Sequence, residues 1–233
     1  MRNAILGLLA LVCVAIGISA ITSHLHPGGE LAPEDQPPPQ QPKRPPRQRF
    51  TPAQSAAAFS QAEKSAEQVV MTVKHRGEID IDLFPSAAPK TVAQFVQLSK
   101  AGFYNGLLFH RVIPNFVAQG GDPKSRNVSG SAIAGLSEQQ VAQQYGLGKN
   151  GSGHSIVFEQ NRLTNQPGTL AMALSSTRSD TADSQFFINL KDNSNLDGDY
   201  CVFGRVTKGM RVVKSIHQGD RIDSIRVLSA NPE

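Results

Sequence analysis

Short apolar runs in strict alternation constrain this chain more than any other feature. Val69, Met71 and Val73, then Ile79, Ile81 and Leu83 beyond a turn at Gly77, carry apolar side chains two residues apart. That spacing puts them on one pleated face and predicts two strands, and the tight turn makes the pair a hairpin. Further runs of strand length follow at 108–113, 117–120, 155–158, 170–174, 186–189, 201–206 and 222–228. Helical spacing marks two segments of the same region. Residues 88–100 carry Val92, Phe95, Val96 and Leu98, with Pro89 in the first turn and Gly102 just past the end; the other segment is 210–217. This proportion of strands, turns and helices predicts a mostly β fold, a closed eight-stranded antiparallel barrel capped by two α-helices.

One run breaks the apolar rule. In FHRVIPNFVAQGGDP, residues 109–123, a permanently charged Arg111 sits inside an apolar strand pair. An unpartnered buried charge is expensive, so this cation belongs on a cleft wall where it can hold something. The turn decides whether Gln119 can reach it. A two-residue Pro114-Asn115 hairpin would pair Arg111 with Ala118 and turn Gln119 to the opposite pleat. A three-residue loop, Pro114 to Phe116, sets Gln119 directly across from Arg111. Proline at the first central position favours a type I turn with a bulge and the longer loop, so the second register is expected. Arg111, Gln119 and Phe116 then share one wall.

The run at 109–123 resembles the signature of cyclophilin-type peptidyl-prolyl cis-trans isomerases. GTLAMA (168–173), SQFFIN (184–189), NLDGDYCVFGRV (195–206) and GMRVVKSI (209–216) follow in the family's order, and the resemblance spans residues 68–230. It implies the same barrel and a reaction that needs no metal or cofactor: rotation about an X-Pro amide in proline-containing polypeptides. By resemblance, Arg111, Gln119 and Phe116 are catalytic. Val117, Phe187 and Leu196 complete a pocket for the proline ring, Gln185 lines it, and the backbone of Ala173, Leu174 and Ser175 pairs with the substrate chain. Strand alternation agrees that Gln185 and Phe187 share a face while Phe186 and Ile188 point to the core.

Three positions depart from the family pattern. Leu174 replaces a polar residue, Tyr200 stands where many members have histidine, and Asn195 takes the place of an aromatic associated with cyclosporin. Tyr200 still offers a hydroxyl to the pocket rim, and only weak cyclosporin binding is implied. His110 faces the other pleat and reads as a core histidine.

The rest of the chain is organised around this domain. Nine of the fifteen prolines fall between Pro27 and Pro52, which marks 23–52 as an extended, proline-rich linker. Residues 53–67 follow as an alanine-rich helix whose only large apolar residue is Phe59; it either docks on the domain or stands as a stalk. Residues 4–21 are eighteen residues without a charge, preceded by Arg2. That length just suffices to cross a bilayer, and small residues are poorly placed for cleavage, so 1–22 reads as an uncleaved signal anchor in preference to a signal peptide. Arg2 before the span and Glu30, Glu34 and Asp35 after it put the domain outside, on the periplasmic side of a cell inner membrane. Cleavage would instead leave it soluble in the periplasm or secreted.

Residues 124–149 exceed the family's usual link. Ser137-Glu138-Gln139-Gln140 there reads as a capping box, Leu136 and Val141 as a hydrophobic staple and Gly146 as a stop, so a two-turn helix is expected. Two placements remain open: over the substrate groove, or passively on the surface. The net charge of +4 is mild and partly carried by Lys43, Arg44, Arg47 and Arg49 of the linker; with no basic stripe interleaved with aromatics, no nucleic-acid partner is expected. Cys13 and Cys201 lie in separate segments and do not pair, and Cys201 reads as a small core residue. GLGKNG at 146–151 imitates a dinucleotide loop but follows a helix and precedes a strand. Residues 193–198 imitate a calcium loop that lacks its closing glutamate. A groove that binds proline with little turnover, as a docking or chaperone module, is the alternative activity. A third reading makes the linker a tether for proline-binding partners.

Overall fold

In this computed structural model, residue 47 and residues 50–228 are described, and they fall within one compact unit. The anchor expected at 4–21 and the prolines at 27–46 lie outside the described residues.

The chain begins its regular structure with α1 (Pro52–Glu63), whose Thr51 cap accepts from Gln54 N and whose Gln54 side chain bonds back to Thr51 N. This reciprocal capping box starts the helix without waste of backbone donors. The helix docks: Phe59 and Ala62 are buried, and the Phe59 ring meets Phe84 edge-on at 6.0 Å. Its end at Glu63 precedes the bound of 67 expected from the sequence, because Glu67 already belongs to the first strand.

β1 (Glu67–Val73) and β2 (Gly77–Leu83) form the expected hairpin, with Val69, Met71, Val73, Ile79, Ile81 and Leu83 all buried. Next come α2 (Pro89–Lys100), β3 (Arg111–Ile113) and β4 (Val117–Gly120). The insertion holds α3 (Gly130–Ile133) and α4 (Glu138–Tyr145). The chain finishes with β5 (Thr169–Met172), β6 (Phe186–Asn189), β7 (Val202–Lys208), α5 (Met210–Lys214) and β8 (Ile222–Val227).

All eight strands join one antiparallel sheet in the order β3-β4-β6-β5-β7-β2-β1-β8. The sheet is an open half-barrel, which corrects the closed barrel expected from the sequence. Its edges β3 and β8 share no ladder. A single bridge, Leu108 to Arg221, spans the gap, supported by Phe109 N–H to Asp220 O and Ile222 N–H to Leu107 O, both 2.8 Å. Gly219, at φ 96, adds one more backbone bond across the gap, its N–H donating to Phe109 O at 3.0 Å. The run at 155–158 is not a strand either; only Ile156 bridges, to Ala182, and Val157 is exposed.

Inside the half-barrel, Phe95 of α2 packs against Tyr104, Phe186 and Phe203 at 5.0–5.5 Å between ring centroids. A second cluster lies on the sheet's other side, where Phe59, Phe84, Leu163, Ala171 and Val202 adjoin Val117 and Phe187. The insertion has its own small core of Ile133, Val141 and Leu147 packed on Leu108. Gly130 and Gly219 approach so closely that a Cβ on either would overlap the other's carbonyl.

Candidate active site

The hairpin β3–β4 takes the three-residue loop. Its register pairs Arg111 with Gln119, Val112 with Ala118 and Ile113 with Val117. The turn itself differs from the type I expected. Phe116 N–H donates to Ile113 O at 3.0 Å and Asn115 sits at φ 56, the positive value that a type II turn requires at its third residue. Asparagine tolerates that conformation, so Pro114-Asn115 satisfies both central positions.

Arg111 therefore emerges beside Gln119, and its Nη1 donates to Gln119 Oε1 at 3.3 Å. The guanidinium carbon lies 5.9 Å from the centre of the Phe116 ring. Gln119 Nε2 donates to Gln185 Oε1 at 3.0 Å, and Gln185 Nε2 donates to Asn150 O at 2.8 Å. The cross-strand pair Gln119 to Phe187 brings β6 alongside. Phe187 is 5 % exposed and meets the Tyr200 ring edge-on at 5.5 Å. Burial raises the Tyr200 pKa, with the charge of Asp199 adding to it, so the phenol keeps its proton at neutral pH.

These side chains line a cavity of about 570 Å³ that also takes in Val117, Ala173, Leu174 and Leu196. The structure thus gathers Arg111, Phe116, Val117, Gln119, Ala173, Leu174, Phe187, Leu196 and Tyr200 around one groove. Gln185 stands in an adjoining hollow of about 230 Å³, shared with Gln119, Ala173 and Leu174. In the backbone segment, Ala173 N–H donates to Gln185 O at 2.9 Å and Ser175 N–H to Thr181 Oγ1 at 3.0 Å. His110 is 2 % exposed, and burial lowers its pKa to about 4 against the pull of Asp122, so it is a neutral core residue. Cys201 is likewise inert: burial pushes its thiol up to about 12.

Two parts of the site escape a reading of the sequence. Glu138, visible there only as part of a helix cap, accepts from Arg111 Nε at 2.6 Å and forms an ion pair with it. Lys149 and Gly148 supply the facing wall. That wall is fixed by Asp122, whose carboxylate accepts from Gly148 N at 2.7 Å and from Asn150 Nδ2 at 2.9 Å. The insertion consequently borders the groove. On the rim, Arg47 donates to Asp197 O at 3.0 Å and to Asn195 O, and pairs with Asp199. Among the described residues no group of three or more His, Cys, Asp or Glu is placed to hold a metal ion.

Comparison with known proteins agrees with this geometry. Residues 68–231 match the sequence profile of the cyclophilin type peptidyl-prolyl cis-trans isomerases. A peptidyl-prolyl cis-trans isomerase of Helicobacter pylori is 39% identical over 166 residues, covering 70% of this chain and 89% of the relative. Peptidyl-prolyl cis-trans isomerase B of Bacillus subtilis is 40% identical over 152 residues, covering 64% and 90%. The crystal structure of a Cryptosporidium parvum cyclophilin-type isomerase superposes with a TM-score of 0.57 at 27% identity, covering 72% of this chain and 99% of that one. The same protein solved in the presence of the dipeptide Ala-Pro gives 0.56 at 28%. On motif order, sheet and site together, the chain belongs to the cyclophilin-type peptidyl-prolyl cis-trans isomerases.

Proposed function

We propose that the groove binds an extended chain with a proline ring against Phe116, Val117, Phe187 and Leu196, and that Arg111 accelerates rotation of the preceding amide. The uncatalysed barrier is about 18–20 kcal/mol because rotation destroys amide resonance. Exchange then takes tens to hundreds of seconds, slow enough to limit folding. No bond is made or broken. The twisted state differs in having a pyramidal prolyl nitrogen with a recovered lone pair. A guanidinium edge aimed there donates a hydrogen bond that strengthens as the bond twists, which is the requirement for lowering the barrier. Arginine suits the task because it is planar, always charged and weakly hydrated.

The observation that carries this reading is an arginine, Arg111, whose side chain is 21 % exposed at the lip of an aromatic and aliphatic hollow. Gln119 holds one of its nitrogens, and Gln185 and Asn150 O in turn hold Gln119. Tyr200 and the backbone from Ala173 to Ser175 border the substrate path. Exchange NMR on an X-Pro peptide tests it: Arg111→Ala should lose roughly 100- to 1,000-fold of the catalysed rate, as other preorganised donors do. Equal rates for both proteins refute the mechanism. Peptide binding without acceleration in the unaltered chain would establish the docking reading. With Asn195 exposed on the rim and engaged through its carbonyl, weak cyclosporin binding is part of the same proposal.

Placement outside the cytoplasm, tethered by residues 4–21, is also proposed. It is supported by the charge-free run, Arg2 ahead of it and the acids behind it. Among the described residues no helix is long and apolar enough to cross a membrane. The mass of the mature protein decides between anchor and cleaved peptide: loss of the first twenty or so residues would refute the anchor.

A further inference from the structure

Arg111 is held from two sides, and the second side comes from the insertion. Its Nη1 bonds to Gln119 on the sheet, while its Nε donates at 2.6 Å to Glu138 Oε2. Bonds to two different nitrogens remove the freedom of a planar group to swing and to roll, and they leave Nη2 to donate to a ligand.

Glu138 stands on a firm base. It is the first residue of α4, where a carboxylate is favoured by the unpaired N–H groups of the helix start. Ser137 and Gln140 close the capping box around it, with Ser137 N–H to Gln140 Oε1 at 2.9 Å. One turn later Val141, 2 % exposed, packs into the cluster of Leu108, Ile133 and Leu147. Leu108 N–H is in turn bonded to Ser125 Oγ at 3.0 Å. The carboxylate is 65 % exposed but its attachment is not loose.

We propose that Glu138 is a positioning residue for Arg111: the inserted helix carries it to the groove so that its carboxylate fixes the guanidinium plane before substrate arrives. The proposal rests on the reading of Arg111 as the group that meets the prolyl nitrogen. An unheld arginine loses side-chain freedom on meeting the twisted amide; one already held does not, and the difference falls on the catalytic step. The insertion is then a working part of the site.

The test uses the full chain with Glu138→Gln, which keeps the size of the side chain and removes its charge, and Glu138→Ala. Gln139→Ala, an exposed neighbour in the same turn, is the control. In exchange NMR both Glu138 variants should lose about 3- to 10-fold in kcat, the range of one partly exposed charge-assisted bond, with KM changed by less than about 2-fold. The Arg111 Nε–H resonance should move to the position of unbound arginines in Glu138→Ala, shift part of that way in Glu138→Gln, whose amide oxygen is a neutral acceptor, and stay in place in the control. Should the unaltered chain not accelerate exchange, the isomerase reading falls and this inference falls with it. Should it do so while both variants keep its kcat and the Nε–H signal stays put, the positioning role alone is refuted.

Discussion

Replacing Phe59 by alanine tests whether α1 is part of the folded body, although α1 lies outside the stretch that matches the family. Phe59 is 5 % exposed, stands edge-on to Phe84 at 6.0 Å, and has the Arg205 guanidinium 5.3 Å from its ring centre. Phenylalanine to alanine in a core typically costs about 3–5 kcal/mol. Here the lower end applies, about 3 kcal/mol, because a terminal helix can relax toward the gap. There is also a ceiling. Once the loss exceeds the docking free energy of α1, the helix detaches, and a detached helix of twelve residues is marginal in water. Phe59→Ala and deletion of residues 50–63 should therefore converge on similar stabilities. With a urea slope of about 2 kcal/mol per molar, the midpoint followed by circular dichroism should fall by about 1.5 M. Hydrogen exchange should show α1 amides losing protection while those of β1 keep theirs. The isomerase rate should also fall, since Phe59 shares its cluster with Val117 and Phe187. A midpoint within about 0.3 M of the unaltered protein, or α1 amides exchanging freely before mutation, would refute the docking argument.

Two other outcomes follow from the packing. The folded-state pKa of His110 is about 4 against 6.5 for the free side chain. The native state thus binds fewer protons, and its stability is full above pH 6.5 and is lost as pH falls toward 4. Between pH 7 and pH 5 this amounts to about 2 kcal/mol, which His110→Gln should abolish; parallel stability profiles for the two proteins would count against it. Gly130→Ala should push the start of α3 off the Gly219 carbonyl and lower stability by about 1–3 kcal/mol, read as a lower melting temperature, whereas an unchanged melt would show that the approach is not tight.

What could be read in advance was local. The β1–β2 hairpin, the Arg111 to Gln119 register and the cap, staple and stop of α4 are each written within a dozen residues, and each is present. The type II turn was misread because a proline at the first central position suits both turn types; the φ of Asn115 selects between them. What depended on distant partners was not legible. The run at 155–158 has strand composition but forms a single bridge, Ile156 to Ala182, and no ladder. Phe59 alone could not announce Phe84 as its contact. Glu138 follows its cap serine as any helix-starting acid does, and only the seating of α4 on Leu108 turns it toward Arg111.

The amides between the arginine and the loop at 148–150 have a direction. Gln119 turns its oxygen to Arg111 and its nitrogen to Gln185, and Gln185 repeats that polarity toward Asn150 O, so neither can flip alone without setting like atoms face to face. Asn150 is itself gripped by the Asp122 carboxylate through both its backbone and its side chain. The aim of the guanidinium is thus inherited, hand to hand, from an acid sealed in the interior. A lesion at Asp122 would loosen the wall at Gly148 and blur, along the same chain of bonds, the one group that has to point.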